Sequence, residues 1–288
     1  MKISAFIVSL MACASAAAWA DEIRIAASDL LAECIQAPLE AYADENDKQL
    51  RVESIGSLPA LDRLRSDEID LALIAVPAGE DVPREEFNIY PFAYDVAVIV
   101  VNGSNPLDEI SLKQLGGIFG SDEEYNFNTW GDLGLTGWGS RNIKLLAGAK
   151  QESIAIELFR YSVFTGGSMK PAVAMVSASE VEELLATDAA SIGILSKLPE
   201  NRNIKVLMIA SGEDAPAFGP TEDNIHYGDY PIRLSFYIAF NPRDKDKLKE
   251  IIRVLLEEEI AGSLAEQGFF SLPDTVRRQF LIDLDLQR

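Results

Sequence analysis

The sequence predicts an α/β fold with a parallel sheet, and the clearest signs of it lie in residues 22–76. Three apolar segments of strand length alternate there with two segments of helical periodicity, an order typical of strands joined through helices. Residues 69–76 are nearly all apolar without alternation, which favours a parallel strand buried on both faces. The chain has 288 residues, enough for two domains of ordinary size.

Both helices of this segment begin at a serine. Ser28 precedes a helix predicted to run to about residue 43, with apolar residues at three- and four-residue spacing. Gly56 and Ser57 open the second helix, with Ser57 as its predicted cap, and Pro59 is tolerated in its first turn. Free backbone N–H groups and the helix dipole make such starts natural anion sites. An ordinary capped helix has the same sequence features, so the pattern alone leaves both interpretations open.

The remaining segments continue the α/β pattern. Helices are predicted over residues 110–119, 151–164, 178–186 and 244–262. Residues 211–230 are predicted to be irregular. Strands are predicted over residues 89–102, 143–147, 191–195, 204–210 and 232–240.

The first twenty residues are predicted to be a cleaved secretory signal peptide. Lys2 precedes a long apolar stretch, and residues 18–20 form an Ala-Trp-Ala cleavage pattern just before Asp21. The apolar stretch is too short and wrongly flanked for a membrane-spanning helix. An alternative interpretation is a lipoprotein signal that ends at Cys13.

Composition argues against several functions. Asp and Glu number 46 against 25 Lys and Arg, so the net charge is −21, and an acidic exported protein is not expected to bind nucleic acid. A small anionic ligand is still compatible, because local dipoles can hold it while salt screens the distant charges. Cys13 and Cys34 are the only cysteines. Removal of the signal leaves Cys34, predicted to be a core residue, and rules out an intramolecular disulfide or a cysteine-based metal site.

Five segments taken together resemble the phosphate-type periplasmic solute-binding proteins of ABC transporters. The resemblance extends over nearly the whole mature chain. Its segments are residues 57–77 with DLALIAVP, residues 94–106 (YDVAVIVVNGSNP), residues 112–133 with QLGGIFG and NTWGDLGL, residues 190–195 (ASIGIL) and residues 267–273 (QGFFSLP).

The resemblance implies a two-lobed α/β fold in which each lobe is a mostly parallel sheet flanked by helices. After the signal at residues 1–20, residues 21–93 and 234–288 would form lobe one, and residues 94–233 lobe two. Two crossing strands would act as the hinge, near residues 94–95 and 230–231. The ligand would lie in the cleft at the carboxyl ends of the strands, and the lobes would close on it.

The same resemblance implies a non-enzymatic periplasmic receptor. It would capture phosphate or a related small oxyanion and deliver it to an ABC permease in the membrane. We expect a monomer with neither cofactor nor metal. The rival interpretation is a two-lobed sensory or interaction protein that no longer binds phosphate.

In the family that this sequence resembles, the N-terminal ends of three helices bind the phosphate. The residues that correspond here are Ser28, Asp29 and Leu30 in the first start, Gly56, Ser57 and Leu58 in the second, and Lys150, Gln151 and Ser153 in the third.

The chain departs from the family pattern at two places. Ala75 stands where the family usually carries a Ser or Asp after the next strand, and residues 149–155 lack an Arg and a Gly-Ser-Gly-Thr turn. Hydrogen bonds to charged groups contribute about 1.5–3 kcal/mol each. The loss of two or three of them is expected to turn micromolar binding into millimolar binding.

A hydrolase on an α/β fold is a further rival, but the sequence holds no G-x-S-x-G motif. His226 is the only histidine, and we predict a solvated loop residue rather than a catalytic base or a metal ligand. The acidic clusters at residues 122–124 and 257–259 are predicted to be solvated, since neither has the spacing of a calcium loop. Trp130 is predicted to pack structurally.

Overall fold

The computed structural model describes residues 22–148 and 154–286 and contains two main sheets flanked by helices. The strands are β1 (Ile23–Ala27), β2 (Leu50–Ser54), β3 (Leu71–Pro77), β4 (Asn88–Val96), β5 (Val98–Asn102), β6 (Glu109–Ser111), β7 (Gly120–Ser121), β8 (Lys144–Gly148), β9 (Ser168–Met169), β10 (Ala174–Val176), β11 (Ser191–Leu195), β12 (Ile204–Val206), β13 (Met208–Ala210), β14 (Ala217–Phe218), β15 (Arg233–Phe240) and β16 (Phe270–Ser271). The helices are α1 (Asp29–Glu45), α2 (Ser57–Arg65), α3 (Leu112–Phe119), α4 (Ala155–Val163), α5 (Ala178–Thr187), α6 (Glu222–Tyr227), α7 (Lys245–Leu255), α8 (Glu258–Gln267) and α9 (Asp274–Leu286). Two single 3-10 turns cover Trp130–Leu133 and Pro242–Asp244.

The first sheet has the strand order β16-β4-β15-β3-β1-β2. β1 pairs in parallel with both β2 and β3, while β15 runs antiparallel between β3 and β4. Helices α1, α7 and α8 pack together and share one large hydrophobic cluster with β1 and β15. Helix α2 packs on β3 in a separate, smaller cluster. This sheet is therefore covered by two separate sets of apolar side chains, as a buried parallel sheet requires.

The second sheet has the order β10-β8-β11-β5-β12. β8, β10 and β11 are parallel, and β5 is antiparallel to its two neighbours. Helix α5 lies close to β11: a Cβ atom at Gly193 would come within 2.9 Å of Val181 Cγ1 and 3.1 Å of Leu185 Cδ1. Glycine at this position therefore permits the close packing of helix on strand. β6, β13 and β14 form a small third sheet, and β7 pairs with β9.

Two adjacent passages of the chain connect the main sheets. β4 leads into β5 through Ala97, and residues 230–232 lead into β15. The Ala97 amide donates to the carbonyl of Ile232 at 3.2 Å, and the buried Tyr230 hydroxyl donates to the carbonyl of Ala97 at 2.7 Å. We call β4 and β15 the crossing strands. Two chain connections that lie side by side between two sheets are the geometry of a hinge.

Several predicted elements are divided in the structure. The single strand predicted over 89–102 is interrupted at Ala97, where the chain leaves the first sheet for the second. The strand predicted over 204–210 is interrupted at Leu207, whose amide donates to the Ile99 carbonyl at 2.9 Å, and its halves join different sheets. The first residues of the predicted helix 110–119 belong to β6. In each case pairing with another strand overrides the local sequence preference.

The helix predicted over 244–262 is two helices. α7 ends before Leu256, α8 begins at Glu258, and Gly262 lies inside α8 rather than at its end. Gly268 ends α8 with φ 94°, a left-handed conformation that glycine adopts without strain. Residues 211–230, predicted to be irregular, contain β14 and α6. Within the described ranges no helix has both the length and the apolar character that a membrane crossing requires.

Candidate functional site

The carboxyl ends of β1, β2 and β3 meet at one edge of the first sheet. Ala27 at the end of β1 is in register with Ser54 and with Leu73. The Ile55 amide donates to the Ala27 carbonyl at 2.9 Å, and the Ser28 amide donates to the Leu73 carbonyl at 3.1 Å. Helices α1 and α2 begin at this edge, where open α/β sheets bind their ligands.

The first helix start has free amides but also a carboxylate. The Ser28 carbonyl accepts from the amides of Leu31 and Ala32, whereas Asp29 and Leu30 occupy the first turn, where a helix provides no carbonyl partner for the amides. Ser28 is buried and makes no side-chain cap, and its hydroxyl donates to the Asp29 carboxylate at 3.4 Å. An anion at this start would meet two amides beside one exposed negative charge.

The second helix start differs from the prediction that Ser57 is its cap. Gly56 occupies the capping position, with its carbonyl accepting from the Ala60 amide at 3.0 Å, and Ser57 is the first helical residue. The Ser57 hydroxyl oxygen accepts a hydrogen bond from the Ala75 amide at 2.8 Å. Its own proton is thus left for donation to a ligand. Leu58 follows with a 76% exposed side chain.

Ala75 lies directly beside Ser57. The same hydrogen bond that fixes Ser57 brings the backbone of Ala75 to the second helix start, and the Ala75 side chain is half-buried. That a residue at this position would contact the ligand stays a prediction. A methyl group offers neither a donor nor an acceptor.

The third predicted start, Lys150, Gln151 and Ser153, lies outside the described residues. Its flanking elements are described: β8 ends at Gly148, and α4 begins at Ala155. The Tyr161 hydroxyl on α4 donates to the carbonyl of Ala78, just after β3, at 3.4 Å. Helix α4 of the second sheet therefore contacts the chain that leaves the carboxyl edge of the first sheet.

The prediction that His226 is a solvated loop residue is wrong. His226 lies in α6, is half-buried, and its Nδ1 atom is 2.8 Å from the Tyr94 hydroxyl on β4. Arg233 stacks on the Tyr94 ring, with Cζ 5.6 Å from the ring centroid. No local pattern around His226 indicates this contact, because its partners are 132 and 7 positions away.

A buried carboxyl follows Tyr94 in the sequence of β4. Asp95 is 4% exposed and accepts a hydrogen bond from the Val96 amide at 2.8 Å. Burial raises the pKa of Asp95 to about 7, because a charged carboxylate loses its hydration there, and the Val96 amide only partly opposes the shift. Asp95 lies within the YDVAVIVV segment. A charged residue inside such an apolar run is the sequence feature that could have indicated a buried carboxyl.

The other predictions have mixed outcomes. Trp130 packs structurally as predicted: it is fully buried, and its Nε1 atom donates to the Ala190 carbonyl at 3.0 Å. Cys34 is a buried core residue, also as predicted. Glu123 was predicted to be solvated, but its carboxylate accepts from the Thr165 hydroxyl at 2.8 Å and from the Gly167 amide at 3.0 Å. The carboxylate therefore links the loop that contains Glu123 to the loop that contains Thr165 and Gly167.

Two grooves lie apart from the helix starts. One of about 860 Å³ follows α4 and is lined by residues that include Arg160, Tyr161 and Phe164. Another of about 460 Å³ lies between α5 and the end of α8, and four glutamates line it beside Lys197. Neither contains a residue of the first two starts. Among the described residues no cluster of His, Cys, Asp and Glu could hold a metal ion.

Two sheets joined by crossing strands, with helix starts at a shared carboxyl edge, form an open α/β fold of the kind that binds ligands at that edge. A family model described as the PBP superfamily domain matches residues 13–259, and the chain belongs to this family.

Named relatives agree with this assignment. The chain is 24% identical over 206 residues to the phosphate-binding protein PstS of Pseudomonas aeruginosa, an alignment that covers 68% of this chain and 64% of that protein. The chain thus spans less than two thirds of the length of that relative.

Solved structures share the fold. A possible phosphate binding protein from Planctomyces limnophilus superposes with a TM-score of 0.67 at 21% identity, covering 91% of this chain and 98% of that one. PstS from Borrelia burgdorferi superposes with a TM-score of 0.68 at 17% identity, covering 88% and 99%. The predicted family and the predicted α/β fold class are confirmed.

Proposed function

We propose that the protein is an exported receptor that captures phosphate or a related small oxyanion between two lobes. Residues 21–93 and 234–288 form lobe one, and residues 94–233 form lobe two. The first two helix starts provide the anion site on lobe one, and Lys150, Gln151 and Ser153 complete it from lobe two. The names of the relatives, which are phosphate-binding proteins, support this choice of ligand.

The observation that carries the proposal is the geometry at Ser57. Its hydroxyl oxygen is occupied by the Ala75 amide at 2.8 Å, so the hydroxyl proton is left to donate, next to first-turn amides without helical partners. A site composed of donors at the positive end of a helix dipole favours an anion.

Removal of the Ser57 hydroxyl tests the proposal. Ser57→Ala should weaken phosphate binding by about 10–100-fold, because a hydrogen bond to a charged group is worth roughly 1.5–3 kcal/mol. Isothermal calorimetry on the mature protein measures it. Ser66→Ala at the other end of α2 is the matched control, since its exposed hydroxyl donates to the Arg63 carbonyl within the same helix end. Equal affinities in the two variants, or no heat with millimolar phosphate, would reject the site.

A second candidate function follows from two observations that oppose strong phosphate binding. Asp29 places a carboxylate at the first start, and Ala75 provides no polar side chain at the second. Both favour a two-lobed sensory or interaction protein without phosphate affinity. Calorimetry with phosphate, sulfate and molybdate in parallel separates the two functions, because the second predicts no heat with any of the three anions.

The receptor role extends to export and delivery. We propose cleavage after Ala20, a periplasmic monomer, and docking to an ABC permease, without catalytic activity. Membership in a solute-binding family supports a receptor rather than an enzyme. Mass spectrometry of the protein from the periplasmic fraction measures the cleavage directly: a mass that begins at Asp21 is expected, and an intact or lipid-modified N-terminus would contradict it.

A further inference from the structure

The only histidine of the chain is placed where the two sheets connect. His226 lies near the end of α6, and its Nδ1 atom is 2.8 Å from the hydroxyl of Tyr94 on β4. The Tyr94 ring is buried and meets the His226 ring edge-on at 6.0 Å. Three residues after Tyr94, the chain passes from the first sheet to the second at Ala97. The contact therefore joins α6 to a crossing strand, beside the point where the chain passes between the sheets.

Arg233, on the second crossing strand β15, contacts both Tyr94 and α6. Its guanidinium stacks on Tyr94 and donates to the carbonyls of Ile225 at 2.6 Å and His226 at 3.3 Å. Gly228 ends α6 with φ 89°, and a Cβ atom there would lie 2.9 Å from Arg233 Nη2. A side chain at Gly228 would thus strain the backbone and displace the end of the Arg233 side chain. Helix α6 is therefore docked against both crossing strands.

The groups that face His226 favour its neutral form. Tyr94 approaches from β4, Arg233 from β15, and Asp223 and Tyr227 from α6 itself. Burial lowers the pKa of His226, the positive charge of Arg233 lowers it further, and Asp223 opposes both. Burial also raises the pKa of Tyr94, so its hydroxyl keeps its proton and can donate to Nδ1 in the tautomer that carries the imidazole proton on Nε2.

Protonation of His226 changes the chemistry of this contact. In that tautomer Nδ1 gains a hydrogen on protonation, so the Tyr94 hydroxyl must turn from donor to acceptor. A second positive charge also appears beside the guanidinium of Arg233, in a half-buried place where like charges repel strongly.

We propose that the contact of His226 with Tyr94 and Arg233 is a pH-sensitive joint, which docks α6 on the crossing strands when the imidazole is neutral and releases it on protonation. The docked helix stiffens the passage between the sheets, and the released helix lets the crossing strands bend more freely. The consequence for ligand capture rests on the proposed closure of two lobes, whereas the release of α6 does not.

The single histidine makes the joint directly measurable. Protein labelled with ¹³C and ¹⁵N in histidine gives one imidazole signal, which is followed from pH 8 to pH 5 without added ligand. We expect a neutral form with the proton on Nε2 and a pKa below the ordinary 6.5. Amide exchange of residues 222–228 is corrected for its intrinsic pH dependence. As the pH falls from 6.5 to the pKa of His226, the corrected exchange rate should rise by about tenfold per pH unit.

Two variants separate the joint from general acid sensitivity. His226→Asn keeps an acceptor near the Nδ1 position without a titrating group, so exchange in α6 should lose its pH dependence. Tyr94→Phe keeps the ring but removes the hydroxyl, so exchange in α6 should be faster than in the wild type at pH 8. An unchanged pH response in His226→Asn, or an ordinary histidine pKa in the wild type, would overturn the joint. A failure to bind phosphate would bear only on the proposed receptor function.

Discussion

Single residues decide what the site can hold. Ser57 is positioned by the Ala75 amide rather than by the helix, so its hydroxyl orientation is set by β3. The sequence predicts the helix start to within one residue, because Gly-Ser-Leu-Pro is a local signal. It does not predict the hydrogen bond to Ala75, which joins residues 18 positions apart. Ala75 lacks the hydroxyl or carboxylate that the family usually carries at this position.

Restoration of a polar side chain at Ala75 is expected to strengthen anion binding. Ala75→Ser adds a donor beside Ser57, and one additional hydrogen bond to a charged ligand should raise phosphate affinity by about 10–100-fold. Calorimetry compares the variant with Ala78→Ser, an equal change at an exposed position three residues later. Unchanged or weaker affinity in Ala75→Ser would mean that this position does not face the ligand.

Asp95 predicts a pH dependence of stability. The pKa of Asp95 is raised to about 7 in the folded protein, against about 3.9 when unfolded. Between these values the folded state binds the extra proton, so the stabilisation is complete below about pH 4 and is lost as pH rises to 7.

Asp95→Asn removes this dependence and keeps an acceptor oxygen for the Val96 amide. Because the wild type carries a buried charge at pH 8, the variant should be more stable there by about 1–3 kcal/mol, with little difference at pH 4. Urea unfolding at both values measures the free energy of unfolding. Equal stabilities at pH 8 would contradict the buried, raised-pKa carboxyl.

At the scale of elements, local periodicity predicts most of the fold. β1, β3, β11, α1 and α5 lie close to their predicted positions because each has an uninterrupted apolar pattern. The failures share one physical cause, which is a change of partner within a continuous pattern. Residues 89–102 read as one apolar strand, yet Ala97 divides two strands that belong to different sheets. Sheet membership is a long-range property that no local window contains.

Helix α4 links the two sheets through Tyr161. Tyr161→Phe removes the hydrogen bond to the Ala78 carbonyl. If closed lobes are held partly by this contact, phosphate affinity should fall by about 2–10-fold, in line with roughly 0.5–1.5 kcal/mol for a neutral hydrogen bond. Calorimetry measures it, with Tyr42→Phe as the control near the far end of α1. Identical phosphate affinities for the two variants would show that the Tyr161 hydrogen bond does not stabilise the closed form.

For the whole molecule, the order of motifs indicates the architecture better than any single motif. Five weak segments in sequence predict the family, and the family and fold are confirmed. The anion site is less predictable, because its three starts come from distant parts of the chain, and the third start and Ala75 depart from the family pattern. The contact at His226 is the least predictable, since it joins α6 to a residue of β4 that lies 132 positions away in the sequence.

The central claim is capture of an oxyanion by closure of two lobes, and small-angle X-ray scattering with and without phosphate tests it most directly. The radius of gyration of the mature protein should decrease when millimolar phosphate is added, because bound anion stabilises the closed arrangement. The Ser57→Ala variant should require higher phosphate for the same decrease. Scattering that is unchanged in the wild type at saturating phosphate would contradict the claim and favour the sensory or interaction protein.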